Sequence, residues 1–317
     1  DSKVVGKYCE KRDPNLAYIA YKRGQCDYEL IEVTNKNSMF KQQARYLVKR
    51  QDPKLWQYVL AEDTPYRKQL INQVVQTALP ETTSADEVSS TVRAFMAANL
   101  PNELIELLER IVLHGTSEFK KNRNLQNLLI LTAIKADKSR VMDYIYKLDN
   151  YYAPDIAKIA VTSGLYEEAF EIYRKFKLNK EAISVLLDNI KAIDRASEFA
   201  LKVNDPEVWS LLGKAQLVEN MVPEAIDSFL KANDPSAYID VIAAAEKSGH
   251  FKELIQYLLM ARKKLIHDPH VDTELVYSYA KYQEQNPQSN SLADMEEFIS
   301  GPNVAQIQQV GDRCFQE

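Results

Sequence analysis

Glycine is scarce in this chain, with 8 in 317 residues. α/β nucleotide folds and β-sandwiches depend on glycine in their turns and phosphate loops, so the shortage disfavours both. Cysteine is scarcer still. The three at positions 9, 26 and 314 cannot complete a disulfide set and lack a CxxC spacing, which suits a reducing compartment. No apolar run reaches membrane-spanning length, so no direct membrane insertion is expected. The opening residues Asp1–Lys7 do not form a signal peptide. No charge of one sign dominates: the net charge is −5 with both signs interspersed, which leaves no field to draw nucleic acid or anionic lipid. Aromatics are not organised either, since the eighteen tyrosines form no stacking platform interleaved with arginine.

Motifs that carry chemistry are missing as well. There is no P-loop, Gly-x-Gly-x-x-Gly, Gly-x-Ser-x-Gly or His-Glu-x-x-His. His267, Asp268 and His270 lie close together, but Pro269 separates them and no further ligand completes a tetrahedral set. Glu167-Glu168 and Glu296-Glu297 are neighbours in sequence, and adjacent helical positions do not face each other. Neither an enzyme nor a cofactor or metal site is expected.

What is present is repetition. A six-residue phrase occurs three times: Pro14-Asn15-Leu16-Ala17-Tyr18-Ile19, Pro154-Asp155-Ile156-Ala157-Lys158-Ile159 and Pro302-Asn303-Val304-Ala305-Gln306-Ile307. It reads as a helix start, with proline in the first turn and the aliphatics on one face. Cys26 and Cys314 stand at the same offset from their prolines, with Tyr166 between, and are read as core fillers. Gly24, Gly164 and Gly311 follow the phrase at a near-constant distance.

A finer beat runs inside this long period. Val141, Ala169, Ala196, Ala225 and Leu254 mark one helix at spacings of 28, 27, 29 and 29. Asp205-Pro206-Glu207-Val208-Trp209 and Asp234-Pro235-Ser236-Ala237-Tyr238 mark its partner, 29 apart, each with Asp as cap and Pro at the first position. Asp52-Pro53-Lys54-Leu55-Trp56 repeats that pattern earlier in the chain. Such a unit holds two helices of about ten to twelve residues and two short turns. The predicted fold is all-α: an α-α superhelix, a solenoid of short helical hairpins drawn out as an elongated rod. Trp56, Trp209 and Tyr238 are expected to fill the wedges between hairpins.

Ser84–Glu87 reads as a capping box. Leu104, Ile105, Leu107, Leu108, Ile111 and Val112 make a clean helical stripe, and 125–134 an interior helix apolar on nearly all sides. His114–Asn124 and Gln283–Ser291 read as loops, and Lys120, Lys121 and Arg123 with them. Boundaries are placed at 1–80, 81–233 and 234–317. Arg262, Lys263 and Lys264 end a helix, where cations suit the dipole; they are also the candidate contact for an acidic partner.

The text resembles the clathrin heavy-chain family, in its leg. The likeness is carried by residues 6–14 (GKYCEKRDP), 23–26 (RGQC), 43–48 (QARYLV), 100–109 (LPNELIELLE), 124–137 (NLQNLLILTAIKAD), 140–145 (RVMDYI) and 308–314 (QQVGDRC), and so runs from end to end. The resemblance implies the end of one heavy-chain repeat in 1–80, a complete repeat in 81–233 and the start of the next in 234–317. It implies a distal leg running through the knee into the beginning of the proximal leg, as a piece of a longer chain. It also implies a structural role: stiff but bendable legs of a three-legged coat protein pack with other heavy chains into the lattice on the cytoplasmic face of coated pits and vesicles, in endocytosis and trans-Golgi sorting. Neither the propeller that binds adaptor peptides nor the trimerisation region is covered. Light chains in the family lie mainly along the proximal leg, with an acidic segment reaching the knee. The family's basic stretch there matches Ala261-Arg262-Lys263-Lys264, but Leu265 and Ile266 replace its next Ala and Arg. The 283–291 stretch resembles an insertion. The alternative reading is a generic helical-repeat scaffold that binds peptides; such tetratricopeptide proteins repeat at about 34 residues, and the 27–29 beat argues against it.

Overall fold

Several helices begin where aspartate and proline sit together. Asp13, Asp52 and Asp205 each accept a backbone N–H of the following first turn, at 2.9 Å, with proline at the first helical position. The computed structural model describes residues 1–316 and holds no strand among them. Two units are resolved, Asp1–Ser163 and the chain from Gly164 onward. The division falls inside the 81–233 stretch.

The first unit runs α1 (Ser2–Cys9), α2 (Pro14–Gly24), α3 (Asp27–Lys36), α4 (Phe40–Arg50), α5 (Pro53–Val59), α6 (Arg67–Gln73), α7 (Ala85–Ala97), α8 (Pro101–His114), α9 (Ser117–Lys120), α10 (Arg123–Ala136), α11 (Val141–Lys147) and α12 (Ala153–Thr162). Wide π turns, Val74–Ala78, extend α6. Packing follows chain order: α1 lies on α2, α2 on α3, α8 on α10, and α10 on α12. The second unit runs α13 (Tyr166–Lys175), α14 (Asn179–Ser184, extended by π turns Val185–Ile190), α15 (Ile193–Val203), α16 (Pro206–Val218), α17 (Val222–Ala232), α18 (Tyr238–Ser248), α19 (Phe251–Lys264), α20 (Pro269–Gln285), α21 (Ser291–Ser300) and α22 (Ile307–Gln316). Here α16 lies on α17, α17 on α19, α19 on α20, and α20 on both α21 and α22. Each helix thus covers its near neighbours in sequence, as a solenoid of hairpins requires.

The beat marks the core. Val141, Ala169, Ala196, Ala225 and Leu254 are all fully buried. Trp56 is sealed edge-to-face against Phe95 of α7 at 6.3 Å, and Trp209 is buried with its Nε1–H donating to Asn204 Oδ1 at 3.1 Å. Tyr238 is half-buried against the α17–α20 core and edge-on to His270. The α8 stripe, Leu104 to Val112, is buried throughout.

Turns needing a left-handed residue recruit asparagine where glycine is short. Asn99, Asn204, Asn220 and Asn233 follow helices at φ of 53°, 51°, 58° and 53°. Asparagine tolerates that conformation better than most residues because its short amide bonds locally.

Several expectations are corrected. The third copy of the phrase does not start a helix: Pro302–Gln306 is irregular and α22 begins at Ile307. Its backbone amides are captured from outside, Val304 N by Asp272 Oδ2 at 2.9 Å and Gln306 N by Thr273 Oγ at 3.0 Å. In the other copies the alanine, not the aliphatic face, makes the contact. Ala17 and Ala157 are fully buried, whereas Leu16, Ile19 and Ile159 are exposed; Ile156 alone goes inward. Cys314 is exposed rather than a core filler, while Cys26 is half-buried against the α2–α3 core. Asp234-Pro235 opens a turn, with Ser236 N on Asp234 Oδ1, and α18 begins at Tyr238. Ser84 caps α7, but Glu87 accepts from Thr82 instead of closing the box. The 114–124 stretch contains α9, anchored by buried Phe119; Lys120 belongs to that helix and Arg123 to α10. α10 is buried along one face, with Leu128 and Leu131 left half-buried. The 283–291 stretch is loop only over 286–290. Gln283 Oε1 accepts from Ser289 Oγ at 3.0 Å and Leu292 N at 3.2 Å, which ties the turn down.

Candidate functional site

The basic residues at the end of α19 sit in a polar corner built by α18–α22. A helix C-terminus leaves carbonyls unpaired, so Arg262, Lys263 and Lys264 fall where cations are favoured. Asp268 then caps α20, accepting from His270 N at 2.9 Å and Val271 N at 3.3 Å.

The structure separates the three cations. Arg262 turns inward: its Nε donates to Asp272 Oδ1 at 2.8 Å, its Nη2 donates to the Pro302 carbonyl, and its guanidinium lies 4.8 Å over the Phe298 ring. Asp272 is 3% exposed, and its second oxygen takes the Val304 amide. One carboxylate thereby joins α19, α20 and the 302–306 segment. Lys263 and Lys264 remain exposed.

A second charged group lies on the same helix. Glu274 is buried, and Arg313 of α22 donates to both its oxygens at 3.1 and 3.0 Å while pairing Glu246 of α18 at 2.7 Å. The Arg313 guanidinium stacks 3.8 Å over Tyr277. Burial, reinforced by the Glu246 carboxylate, raises the Glu274 pKa above its ordinary value, against the pull of Arg313. A raised carboxylate pKa makes the folded state the stronger proton binder. The stability Glu274 contributes is therefore complete below its unfolded value near 4.5 and is lost as pH rises through its folded value. Glu274→Gln should remove this dependence. Urea titrations at about pH 4.5 and about pH 7 should show the wild-type chain losing ground to the variant at the higher pH; a constant difference would refute the assignment.

Asp272, Thr273, Glu274, Glu246 and Arg313 escaped sequence reasoning. Val271–Tyr279 is buried at every position, its polar residues included, and no pattern of alternating faces marks them. The available signal was an uninterrupted DTE triplet close behind a capped helix start.

A family model described as a region in clathrin and VPS matches residues 1–71, 79–223 and 229–317. The chain is 61% identical over 316 residues to the clathrin heavy chain of Dictyostelium discoideum, 59% over 317 residues to that of Drosophila melanogaster, and 57% over 317 residues to clathrin heavy chain 2 of Homo sapiens. Each match covers all of this chain but only 18%, 18% and 19% of those proteins.

Proposed function

Because the chain belongs to the clathrin heavy-chain family, we propose that it is a length of coat-protein leg, non-catalytic, running from the distal leg through the knee to the start of the proximal leg. Its partners in this reading are other heavy chains, packed leg against leg on the cytoplasmic face of coated pits and vesicles. The observation that carries the reading is the packing in chain order within each unit, which leaves helix faces outward for many weak lateral contacts that add through multivalency. The assignment of 1–80, 81–233 and 234–317 to one repeat's end, a whole repeat and the next repeat's start is supported by the three separate ranges of the family match. The test is assembly. A clathrin heavy chain carrying these 317 residues in place of its own equivalent stretch should form cages in vitro; a soluble, correctly folded chimera that forms none would overturn the proposal.

The polar corner supports a narrower version of the partner contact. Arg262 is committed to Asp272, so the docking cations for an acidic light-chain segment are Lys263 and Lys264. Lys263→Glu with Lys264→Glu should weaken light-chain binding roughly tenfold at low ionic strength, with the loss shrinking toward nothing near about 0.5 M salt. Binding that is unaltered across such a salt series would remove the idea.

A further inference from the structure

The equivalent tryptophans of two hairpins differ in one respect. Trp209 Nε1 has an acceptor in Asn204, the left-handed residue five positions earlier. The residue at that position before Trp56 is Gln51, also left-handed at φ 54°, and it does not take the Trp56 N–H. Trp56 is 1% exposed and its Nε1 has no acceptor among the described residues. A buried donor left unpaired keeps its desolvation cost with no bond to offset it.

Trp56 lines a cleft of about 860 Å³ in the first unit, between α5, the turn leading to α6, and α7. Its apolar wall is Trp56, Leu60 and Ala61, faced by the small residues Ala94 and Ala97 of α7 and by Ala98 just after it. Two arginines line it. Arg67 is half-buried, its Nε also lacks an acceptor, and its Nη2 reaches the Ala98 carbonyl at 3.5 Å. Arg93 is exposed. Glu62 lines the cleft too, but neither arginine forms an ion pair with it among the described residues, and the lining is net positive. An excess of positive charge, free of ion pairs, therefore lies beside an apolar wall with alanine opposite. We propose that this cleft docks a segment of a partner protein that presents a carboxylate beside an aliphatic or aromatic side chain. The carboxylate lies between Arg67 and Arg93, where charge-assisted and bidentate bonds are strongest, and the apolar side chain covers the alanine floor. This is independent of the lysines at the end of α19.

The test is a random hexapeptide phage library selected on the 317-residue chain, followed by fluorescence titration of the selected synthetic peptides. Trp209→Phe leaves Trp56 as the sole indole reporter. The proposal expects enrichment of Asp or Glu next to Leu, Ile or Phe, with saturable change in Trp56 emission. Arg93→Gln, at an exposed position that leaves the core untouched, should weaken binding roughly tenfold, as should Glu-to-Gln exchange in the peptide. Peptides without a carboxylate, peptides indifferent to Arg93→Gln, no enrichment over the naive library, or an Arg93-dependent dimer of the chain in sedimentation would each overturn it.

Discussion

Leucine at Ala225 should lower the stability of the second unit by about 1–3 kcal/mol, the usual cost of forcing extra methylenes into a packed contact. Ala225 is fully buried on α17, where that helix lies against α16. The closeness of the two backbones is recorded at Gly213 of α16. A Cβ there would sit 3.1 Å from two Phe229 ring carbons and 3.2 Å from the Ala225 carbonyl oxygen. The ring could yield by a few tenths of an ångström; the carbonyl is helix backbone and cannot move alone. Leucine therefore has to drive the helices apart, and Phe229 packs onward against Tyr257 at 5.9 Å, so the disturbance passes to α19. For a unit of this size each kcal/mol should shift melting by roughly 2–4 °C. Ala196→Leu, at the preceding beat, should behave alike. A melting temperature unmoved by either substitution would refute the close approach.

Asp272→Ala should cost about 3 kcal/mol, the low end for breaking a buried ion pair, because Arg262 keeps about a third of its side chain in solvent. The loss has two parts. Arg262 is left with the Pro302 carbonyl and the face of Phe298, and the Val304 amide is left without its acceptor. Arg262→Met should cost less, since its stem still covers Phe298 and Asp272 retains the Val304 amide. Chemical denaturation of the two single variants and the double variant forms a cycle. A coupling within about 0.3 kcal/mol of zero would show that the pair does not hold this corner together.

The fold was legible because a hairpin solenoid writes itself locally. A buried alanine every 27–29 residues and an Asp-Pro helix start need no long-range knowledge, and the positions from Val141 to Leu254 went inward as read. Reading failed where distant residues decide. Pro302–Ile307 matches the Pro14 and Pro154 phrases letter for letter in type, yet its amides go to Asp272 and Thr273, 32 and 33 residues earlier, and it stays unwound as far as Gln306. Cys314 shares an offset with Cys26 but not its surroundings. The same holds for the polar corner. Arg262 was visible as a cation at a helix end, but nothing local told it apart from Lys263 and Lys264; the difference is made by a carboxylate on the next helix. Trp56 and Trp209 stood out as equals, and only coordinates reveal that one indole has an acceptor and the other does not.

The asparagine turns bear on how this molecule ages. Hydrolysis of a side-chain amide at Asn99, Asn204, Asn220 or Asn233 leaves a carboxylate, which accepts the same left-handed backbone. No turn breaks outright. Each lesion instead sets a negative charge against the negative end of the helix before it, at about 0.3–1 kcal/mol apiece. Wear would therefore accumulate as gradual softening, turn by turn, with no single point of failure.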